Sequence, residues 1–509
     1  MFSSVYSADI SGMEARMICI EVDVNDGLPV FDMVGYLASA VKEARERVRI
    51  AIRNMGVHFP AKRITVNLSP ANLRKEGSSF DLPIAISLLT AFGYLSKECT
   101  DNMMIVGELG LDGRIHAIKG VLAMILEGKK RGIRQFIVPQ NNVREGAVLE
   151  GVAIYGVRTL QQTMQFLRGE CQISPAKMSF REWRREQKEK EDFTDIIGMG
   201  AAKRAAEIAM SGKHNLLMIG PPGSGKTMLA KRLPGIMPEM DLEESLELTK
   251  IYSICGLLPE GDSVMMNRPY RAPHHTITPT ALTGGGRIPM PGEITLAAKG
   301  VLFLDELPEF SRNSLEVLRQ PLEEHKVTIS RLGKSYEYPS DCVFVAAMNP
   351  CRCGYFPDRE RCRCTMGEIQ KYLGKISEPL LDRMDLCVET GMPEFHLYGR
   401  GDESSAQIRK RVEMAVQIQK KRYQGEKFSY NGELPGALLG KYCPMDKAEQ
   451  DFLAMFVQEG SFSMRKITRI VKVARTIADL EGSERIQELH LTEAVRFRSA
   501  DRNYWGVTL

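Results

Sequence analysis

The chain has 509 residues, of which 43% are hydrophobic and 26% charged, which is enough for about three domains with real cores. Its 68 Lys and Arg residues nearly match its 64 Asp and Glu residues, giving a net charge of +4, so any DNA site must be a local patch. No apolar stretch approaches the roughly 18 residues that span a bilayer. The first residues lack the basic flank and apolar core of a secretion signal. We therefore expect a cytoplasmic protein without a membrane partner.

Residues 1–170 have the pattern of a mixed α/β domain. Apolar residues recur at helical spacing before Gly56 and then alternate at strand spacing. The helical set comprises Val41, Ala44, Val48 and Ile52, and the strand set comprises Ile64, Val66 and Leu68. Residues 171–192 are charged and carry little apolar periodicity, which predicts a linker or an exposed helix.

A glycine-rich sequence, GPPGSGKT, follows the apolar strand NLLMI and precedes a helical pattern. This is the spacing at which backbone N–H groups surround phosphates, a lysine meets the β and γ oxygens, and a hydroxyl ligates Mg²⁺. The helix directs its positive N-terminus at the same anion. We therefore predict that ATP binds at Gly220, Pro221, Pro222, Gly223, Ser224, Gly225, Lys226 and Thr227.

Two further apolar strands end in polar side chains. Residues 301–304 lead into Asp305 and Glu306, and residues 343–348 lead into Asn349. Asp305 is predicted to hold Mg²⁺ together with Thr227, and Glu306 to polarise the attacking water. Asn349 suits orientation of the water or the γ-phosphate. These strands predict a P-loop α/β/α core with a parallel sheet over residues 193–394.

The interval between Lys226 and Asp305 is long enough for an insertion, which contains Arg271. After the acidic pair, residues 329–338 alternate like a β-hairpin with Gly333 and Lys334 at its tip. The core is therefore expected to carry two projections.

Eleven cysteines in a chain expected to be cytosolic argue against disulfides. Four of them form two C-x-C pairs separated by eight residues. Four thiolates suit a tetrahedral Zn²⁺, although the usual spacing within a pair is two to four residues. We predict a zinc site at Cys351, Cys353, Cys362 and Cys364, with free reduced thiols as the alternative.

The last part of the chain, residues 395–509, is predicted to be helical. Arg383 precedes it in the turn LLDRMD, and Arg465 opens its last long helix. Arg469 lies one turn after Arg465. The helical patterns cover residues 403–424, 446–459 and 463–481.

Together these motifs resemble the ComM/YifB family of magnesium-chelatase-like AAA+ ATPases, nearly end to end. The resemblance implies a Lon-protease-like N-terminal domain, an AAA+ core and a helical lid over the nucleotide. It also implies a homo-hexameric motor whose best-described role is that of a DNA helicase promoting branch migration in natural transformation. The strings that carry it are VKEARERVRIAI (41–52), FPAKRITVNLSPANLRKEGSS (59–79), RAPHH (271–275), GGGRIPMPGEI (284–294), GVLFLDELPEF (300–310) and KVARTIADL (472–480).

The family resemblance also implies roles for three arginines. Arg383 occupies the position of an arginine finger that serves the nucleotide of the neighbouring subunit, which implies shared active sites. An ordinary surface salt bridge is the alternative for this residue. Arg465 is implied as a γ-phosphate sensor, a role that Arg469 is able to share, and a solvated helix face is the alternative.

In related chelatase and MCM-type rings, elements like the insertion and the hairpin point into the pore. The resemblance therefore implies that Lys334 and Arg271 contact the phosphates of a DNA strand. Tyr336 or Tyr338 is expected to add stacking surface. An ordinary solvated hairpin is the alternative.

The Lon resemblance raises proteolysis as a rival function. Ser79 stands at the place of the Lon nucleophile, but Leu122 stands where the catalytic lysine would be. A serine without an activating base is a weak nucleophile, and Lys119 would need a rearranged loop. We therefore predict a non-peptidase scaffold. The other alternative is a chelatase-like or protein-remodelling ATPase with no DNA substrate, because it shares the motor motifs.

Overall fold

The structure, a computed structural model, describes residues 1–178, 191–258, 264–286, 289–331, 334–391, 403–458, 463–499 and 502–505. It contains two compact units. The first comprises Met1–Gln187 with Asp241–Met266, and the second comprises Lys188–Met240 with Asn267–Leu509. Most of the predicted linker and the predicted boundary at residues 394–395 lie outside the described residues.

The described residues form the following helices and strands. The helices are α1 (Ser39–Asn54), α2 (Asp81–Ala91), α3 (Val121–Lys130), α4 (Val143–Gly146), α5 (Leu160–Leu167), α6 (Gly200–Gly212), α7 (Lys226–Ile236), α8 (Leu242–Cys255), α9 (Pro279–Thr283), α10 (Glu293–Leu296), α11 (Arg312–Glu316), α12 (Pro321–Glu324), α13 (Met366–Leu373), α14 (Glu378–Leu381), α15 (Ser405–Arg422), α16 (Leu439–Tyr442), α17 (Lys447–Gln458), α18 (Met464–Leu480), α19 (Glu488–Ser499) and α20 (Arg502–Trp505). The strands are β1 (Phe2–Ser11), β2 (Glu14–Asn25), β3 (Val30–Val34), β4 (Arg63–Ser69), β5 (Met103–Ile105), β6 (Glu108–Leu109), β7 (Ile115–His116), β8 (Gln135–Pro139), β9 (Ala153–Val157), β10 (Leu216–Ile219), β11 (Tyr270–Arg271), β12 (Gly284–Gly285), β13 (Met290–Pro291), β14 (Val301–Leu304), β15 (Lys326–Arg331), β16 (Lys334–Pro339), β17 (Val343–Met348) and β18 (Leu386–Glu389).

The first unit is built on a seven-stranded sheet in the order β3-β4-β2-β1-β5-β8-β9. Strands β1 and β2 form an antiparallel hairpin, whereas β5, β8 and β9 run parallel to one another. The predicted apolar face of α1 is buried, and so are the three alternating residues of β4. The predicted mixed α/β character of the N-terminal region is therefore confirmed.

The segment Asp241–Met266 packs with the first unit, although the sequence pattern assigned it to the nucleotide-binding core. Its helix α8 buries Ile254 in an apolar cluster with residues of α3. The backbone N–H of Gly120 donates to the Ser253 carbonyl at 3.1 Å, and the Ser253 hydroxyl donates to buried Glu145. A helical pattern shows that a helix forms, but it does not show which surface that helix will cover.

The Lon-like position of Ser79 lies just before the wholly buried helix α2. Leu122, at the place of the Lon lysine, is fully buried and donates its backbone N–H to Glu145. Among the described residues, no basic side chain hydrogen-bonds the Ser79 hydroxyl.

The second unit is built on a five-stranded sheet in the order β11-β14-β17-β10-β18, in which every pairing is parallel. One apolar core joins β10, β14 and β17 to the C-terminal helices α15, α18 and α19. The predicted parallel-sheet core and helical C-terminal region are therefore confirmed. Because strands of a parallel sheet share a direction, the carboxyl ends of β10, β14 and β17 meet at one edge.

The predicted hairpin is present as β15 and β16, which pair antiparallel from Lys326 opposite Pro339 to Arg331 opposite Lys334. Its tip residue Gly333 lies outside the described residues. None of the helices in the described part of the chain is both long and apolar enough to cross a membrane.

Candidate nucleotide site

The P-loop joins two elements that fix its position. Strand β10 is buried between β17 and β18, and α7 begins at Lys226. A Cβ on Gly220 would lie 2.1 Å from the Thr390 hydroxyl, so only glycine fits where the loop leaves the strand. The Ser224 and Thr390 hydroxyls lie 2.9 Å apart and hydrogen-bond the P-loop to the residue that follows strand β18. The loop is therefore held by the sheet before any ligand binds.

Lys226 and Asn349 meet at the sheet edge. The Lys226 Nζ donates to the carbonyls of Gly220 and Pro221 at 2.8 Å and lies 3.4 Å from the Asn349 Oδ1. Burial lowers the pKa of Lys226, and the nearby Asp305 carboxylate opposes this effect. A partly desolvated cation held by backbone carbonyls and an amide oxygen is suited to a polyphosphate, which would replace the carbonyls as its partner.

Thr227 and Asp305 meet at the same edge, and their geometry fits Mg²⁺. The Thr227 hydroxyl donates to the Asp305 Oδ2 at 2.6 Å. Octahedral Mg²⁺ with bonds of about 2.1 Å holds adjacent oxygens about 3 Å apart, so one ion can contact both groups after a small displacement. The ion would supply charge neutralisation for the phosphates.

Glu306 adopts a strained backbone conformation with φ of 51° and is 60% exposed. Its backbone N–H donates to the Asp305 Oδ1 at 2.9 Å, and its Oε2 lies 3.7 Å from the His275 Nδ1. Left-handed backbone at a non-glycine residue is costly and is concentrated at functional sites. The exposed Glu306 carboxylate therefore lies at the sheet edge beside the predicted Mg²⁺ ligand, where it could reach an attacking water.

His275 is a site neighbour to which the sequence motifs assigned no role. It follows strand β11, which pairs parallel with β14, so the segments after both strands begin at the same edge of the sheet. Its ring lies 4.0 Å from that of His274. The pair of adjacent histidines in RAPHH was the available signal, but β11 is too short for its pairing to be predicted.

Arg383 and Arg465 line one open cavity of about 430 Å³. The Arg383 guanidinium donates to the carbonyls of Arg319 and Pro379 at 2.9 and 2.6 Å and pairs with the exposed Glu323. Among the described residues, neither arginine hydrogen-bonds the P-loop. The structure therefore brings Arg465 together with Arg383 and does not bring either of them to Lys226.

Arg469 has a different environment, because it binds the buried Asp385 at 2.5 Å. Asp385 also accepts the Asn215 backbone N–H at 3.0 Å and lies 3.7 Å from the buried His214. Burial opposes ionisation of Asp385, but Arg469 and His214 hold its pKa well below the usual range. This pairing joins α18 to the residue that precedes strand β18, which supports an anchoring role for Arg469.

Replacing Arg469 with Ala should lower the free energy of unfolding by about 2–4 kcal/mol, because it leaves a buried carboxylate without its cation. Because the pKa of Asp385 is lower in the folded than in the unfolded protein, ionised Asp385 stabilises the fold at pH values above the unfolded pKa of about 3.9. This stabilisation is lost as the pH falls towards the folded-state pKa. The parent should therefore lose stability below about pH 4. The Arg469→Ala variant should lose less folding stability than the parent as the pH falls below about 4.

Thermal unfolding at several pH values checks this prediction, with Arg485→Ala as the control. Arg485 pairs with Asp446, and both side chains are more than half exposed, so the control should cost about 0–1 kcal/mol. Equal stability of the Arg469 and Arg485 variants would contradict the anchoring role.

The four paired cysteines form one cluster, which we call the four-cysteine cluster: Cys351, Cys353, Cys362 and Cys364. All four sulfurs lie within 4.8 Å of one another, and three of the separations are 3.3, 3.5 and 3.7 Å. Tetrahedral Zn²⁺ with Zn–S bonds of about 2.3 Å sets its sulfurs about 3.8 Å apart. The four thiols therefore fit one zinc ion.

The electrostatics of the four-cysteine cluster also suit metal binding. Burial disfavours the Cys353 thiolate, but hydrogen bonds from the Tyr355 and Arg363 backbone and from Cys351 lower its pKa to about 6. Burial raises the pKa of Cys362 to about 12. Thiolate is the form that binds zinc, and the ion itself would deprotonate the remaining thiols.

The two residues predicted to contact DNA differ in their surroundings. Lys334 is exposed at the hairpin end. Arg271 instead forms a bidentate pair with Glu293, with both distances 2.7 Å. Of the two expected stacking residues, Tyr338 is buried and donates to the Pro289 carbonyl at 2.8 Å, so it belongs to the core. Tyr336 is half-buried.

Three family profiles match successive parts of the chain. Magnesium chelatase, subunit ChlI, matches residues 192–396. Subunit ChlI of Mg-chelatase matches residues 20–142, and the magnesium chelatase subunit ChlI C-terminal profile matches residues 402–498. Their succession covers the P-loop core and the helical C-terminal region.

Several curated proteins are similar over most or part of the chain. Competence protein ComM of Haemophilus influenzae is 41% identical over 506 residues, which cover 98% of this chain and 97% of that protein. The YifB protein of Escherichia coli is 40% identical with the same coverage. A Lon protease of Acinetobacter baumannii is 28% identical over 161 residues, covering 29% of this chain and 20% of that protein. The chain therefore belongs to the ComM/YifB family of magnesium-chelatase-like AAA+ ATPases.

Proposed function

We propose that this chain is a cytoplasmic ATP-driven DNA motor that promotes branch migration as a homo-hexamer. The observation that carries the proposal is the near full-length similarity to a competence protein, combined with a P-loop site of matching geometry. A motor that moves DNA branch points is a fitting activity for a P-loop relative of a competence protein. ATP with Mg²⁺ is the energy source.

A ring is supported by the separation of Arg383 from the P-loop. Lys226, Thr227, Asp305 and Asn349 contact one another in pairs, whereas Arg383 lines a separate open cavity with Arg465. An arginine finger must reach the γ-phosphate to stabilise its transition-state charge. A second copy of the chain would supply that phosphate, so neighbouring subunits complete each other's sites.

Contact with DNA is supported by the hairpin of β15 and β16. Lys334 is an exposed cation at its end, and Tyr336 retains partial exposure. A lysine on a projecting hairpin binds a phosphate, and an aromatic ring stacks on a base without sequence preference. Arg271 is a weaker candidate because Glu293 already engages its guanidinium.

ATP-dependent branch migration of a synthetic three-strand DNA tests the proposal, with Lys226→Ala beside the parent. We expect the parent to move the branch point and the variant to leave it in place, because Lys226 carries the phosphate contact. If neither the parent nor Lys226→Ala moves the branch point although the parent hydrolyses ATP normally, the DNA function would be contradicted. It would favour a chelatase-like or protein-remodelling ATPase, which the matched chelatase profiles also suit.

The hairpin is tested separately by DNA-stimulated ATP hydrolysis. Lys334→Glu should abolish most of the stimulation while leaving the basal rate unchanged. Lys410→Glu is the control, because Lys410 is an exposed lysine on the helix α15 and not on the hairpin. Equal stimulation of Lys334→Glu and the parent would exclude the hairpin as the DNA contact.

We also propose that the four-cysteine cluster holds a structural Zn²⁺. Protein purified without chelator should contain about one zinc per chain, because four sulfurs at these separations match tetrahedral coordination. Cys353→Ser should lower the zinc content strongly, and Cys171→Ser, outside the cluster, should leave it unchanged. Metal analysis by mass spectrometry measures both, and zinc-free parent protein would leave free thiols as the correct interpretation.

A further inference from the structure

The loop of the four-cysteine cluster packs directly on the P-loop. A Cβ on Gly354 would lie 2.4 Å from the Pro222 Cδ, so the Gly354 backbone and the Pro222 ring are in close contact. Gly354 also has φ of +86°, which favours glycine. Its backbone N–H donates to the Cys351 carbonyl at 3.0 Å. Gly354, which contacts the P-loop, therefore follows Cys353 directly and hydrogen-bonds the backbone of Cys351.

A second connection runs through the strand that precedes the cluster. Strand β17 ends at Met348, whose carbonyl accepts the Gly220 backbone N–H at 3.1 Å. Asn349 follows and lies 3.4 Å from the Lys226 Nζ, and Cys351 is two residues further on. Asn349 therefore lies directly between the sheet and the first cysteine of the cluster, and its backbone also hydrogen-bonds Tyr372.

The far side of the same loop is also covered. The Phe356 ring packs edge-on against Tyr504 with centroids 6.2 Å apart, and the Trp505 indole donates to the Leu373 carbonyl at 3.3 Å. The loop has little regular secondary structure to hold it, because residues 350–365, all of which the structure describes, contain no helix or strand. Its conformation therefore depends on the cluster itself, on these packing contacts and on local bonds such as that from the Cys362 backbone N–H to the Asp358 carbonyl at 2.8 Å.

We infer that the four-cysteine cluster with its zinc supports the P-loop, so that tight nucleotide binding by this chain depends on the metal. The inference rests on the proposed ATP and zinc sites and adds the dependence of one on the other. The ion would hold Cys351 and Cys353, which lie next to Gly354 and close to Asn349 in the chain. Gly354 and Asn349 in turn contact Pro222 and Lys226. Loss of the ion releases the loop, and the phosphate-binding conformation becomes less populated.

Gly354→Ala tests the contact without removing a metal ligand. The added methyl cannot fit against Pro222 unless the P-loop and the cysteine loop move apart. We expect the variant to keep its zinc, while the Kd of a fluorescent ATP analogue with Mg²⁺ rises about tenfold or more. Hydrogen exchange over residues 220–225 should also become faster than in the parent.

Two glycine variants serve as controls. Gly425→Ala introduces a side chain at φ of +90° with no atom within 4 Å, so it reproduces the backbone strain without a clash. Gly367→Ala, in open space at the start of α13, reproduces the change in composition alone. Both should bind the analogue like the parent, and all variants are compared by thermal unfolding to exclude global loss of fold.

Removal of the metal gives an independent arm. A zinc-selective chelator, with Mg²⁺ in excess, should weaken binding of the analogue to the parent, and added zinc should restore it.

Parent-like binding by zinc-containing Gly354→Ala, or by folded zinc-free parent, would overturn the inference while leaving the ATPase proposal intact. Parent that is zinc-free as purified and binds the analogue tightly overturns the zinc proposal together with this inference. Zinc-containing parent that does not bind the analogue overturns the proposed ATPase.

Discussion

Arg383→Ala should lower steady-state ATP hydrolysis by about 10³-fold or more, because an arginine finger stabilises charge on the transferring phosphoryl group. The analogue should still bind, since Lys226, Thr227 and Asp305 supply the local contacts. Arg383→Lys should recover little of the rate, because an ammonium lacks the planar fork of the guanidinium. Arg485→Ala, a change at an exposed arginine, should leave the rate unchanged.

Mixing two inactive variants tests whether the finger acts on a neighbouring subunit. Lys226→Ala retains its finger and Arg383→Ala retains its P-loop. In randomly mixed rings, about a quarter of the interfaces pair an intact P-loop with an intact finger. Hydrolysis should therefore reappear on mixing. Continued inactivity of the mixture, in rings shown to contain both variants, would contradict shared sites.

Glu306→Gln should reduce hydrolysis by about 10²–10⁴-fold while leaving ATP binding close to that of the parent. The amide preserves the shape of the side chain but cannot polarise water as a carboxylate does. Glu306 has a left-handed backbone conformation, and its carboxylate lies 3.7 Å from the His275 Nδ1. Among the described residues, no Lys or Arg side chain forms an ion pair with this carboxylate.

Equilibrium binding and steady-state hydrolysis measured on the same preparation distinguish this role from a structural one. Glu309→Gln is the matched control, because Glu309 lies three residues further on and pairs with Lys375 at 3.2 Å. It should hydrolyse ATP at nearly the parental rate. Loss of binding in Glu306→Gln, or parental hydrolysis, would assign the catalytic carboxylate elsewhere.

Local sequence patterns were sufficient for the elements of the nucleotide site. The P-loop and the two apolar strands before Asp305 and Asn349 each combine a short-range hydrophobic run with a polar end. Parallel pairing then brings these ends to one edge, because strands that share a direction also share an edge. The long helices α15, α17 and α18 were likewise encoded by local periodicity.

Pairings between distant residues were not predictable from local patterns. Arg469 was a candidate sensor from its helical position, yet it binds Asp385, which lies 84 residues earlier in the chain. Tyr338 alternates with Tyr336 as a hairpin residue should, yet its hydroxyl reaches the Pro289 carbonyl and the ring is buried. Arg271, predicted to contact DNA, likewise forms an ion pair with Glu293 that no local pattern indicated. Each partner is selected by tertiary packing.

The fold class, the family and the chemical groups of the nucleotide site could all be predicted from local patterns, because spacing along the chain encodes helices, strands and the phosphate loop. Three contacts became evident in the three-dimensional structure: α8 packs with the first unit, His275 lies beside Glu306, and Gly354 contacts Pro222. Burial and close packing depend on which surfaces meet, and residues far apart in the chain supply those surfaces.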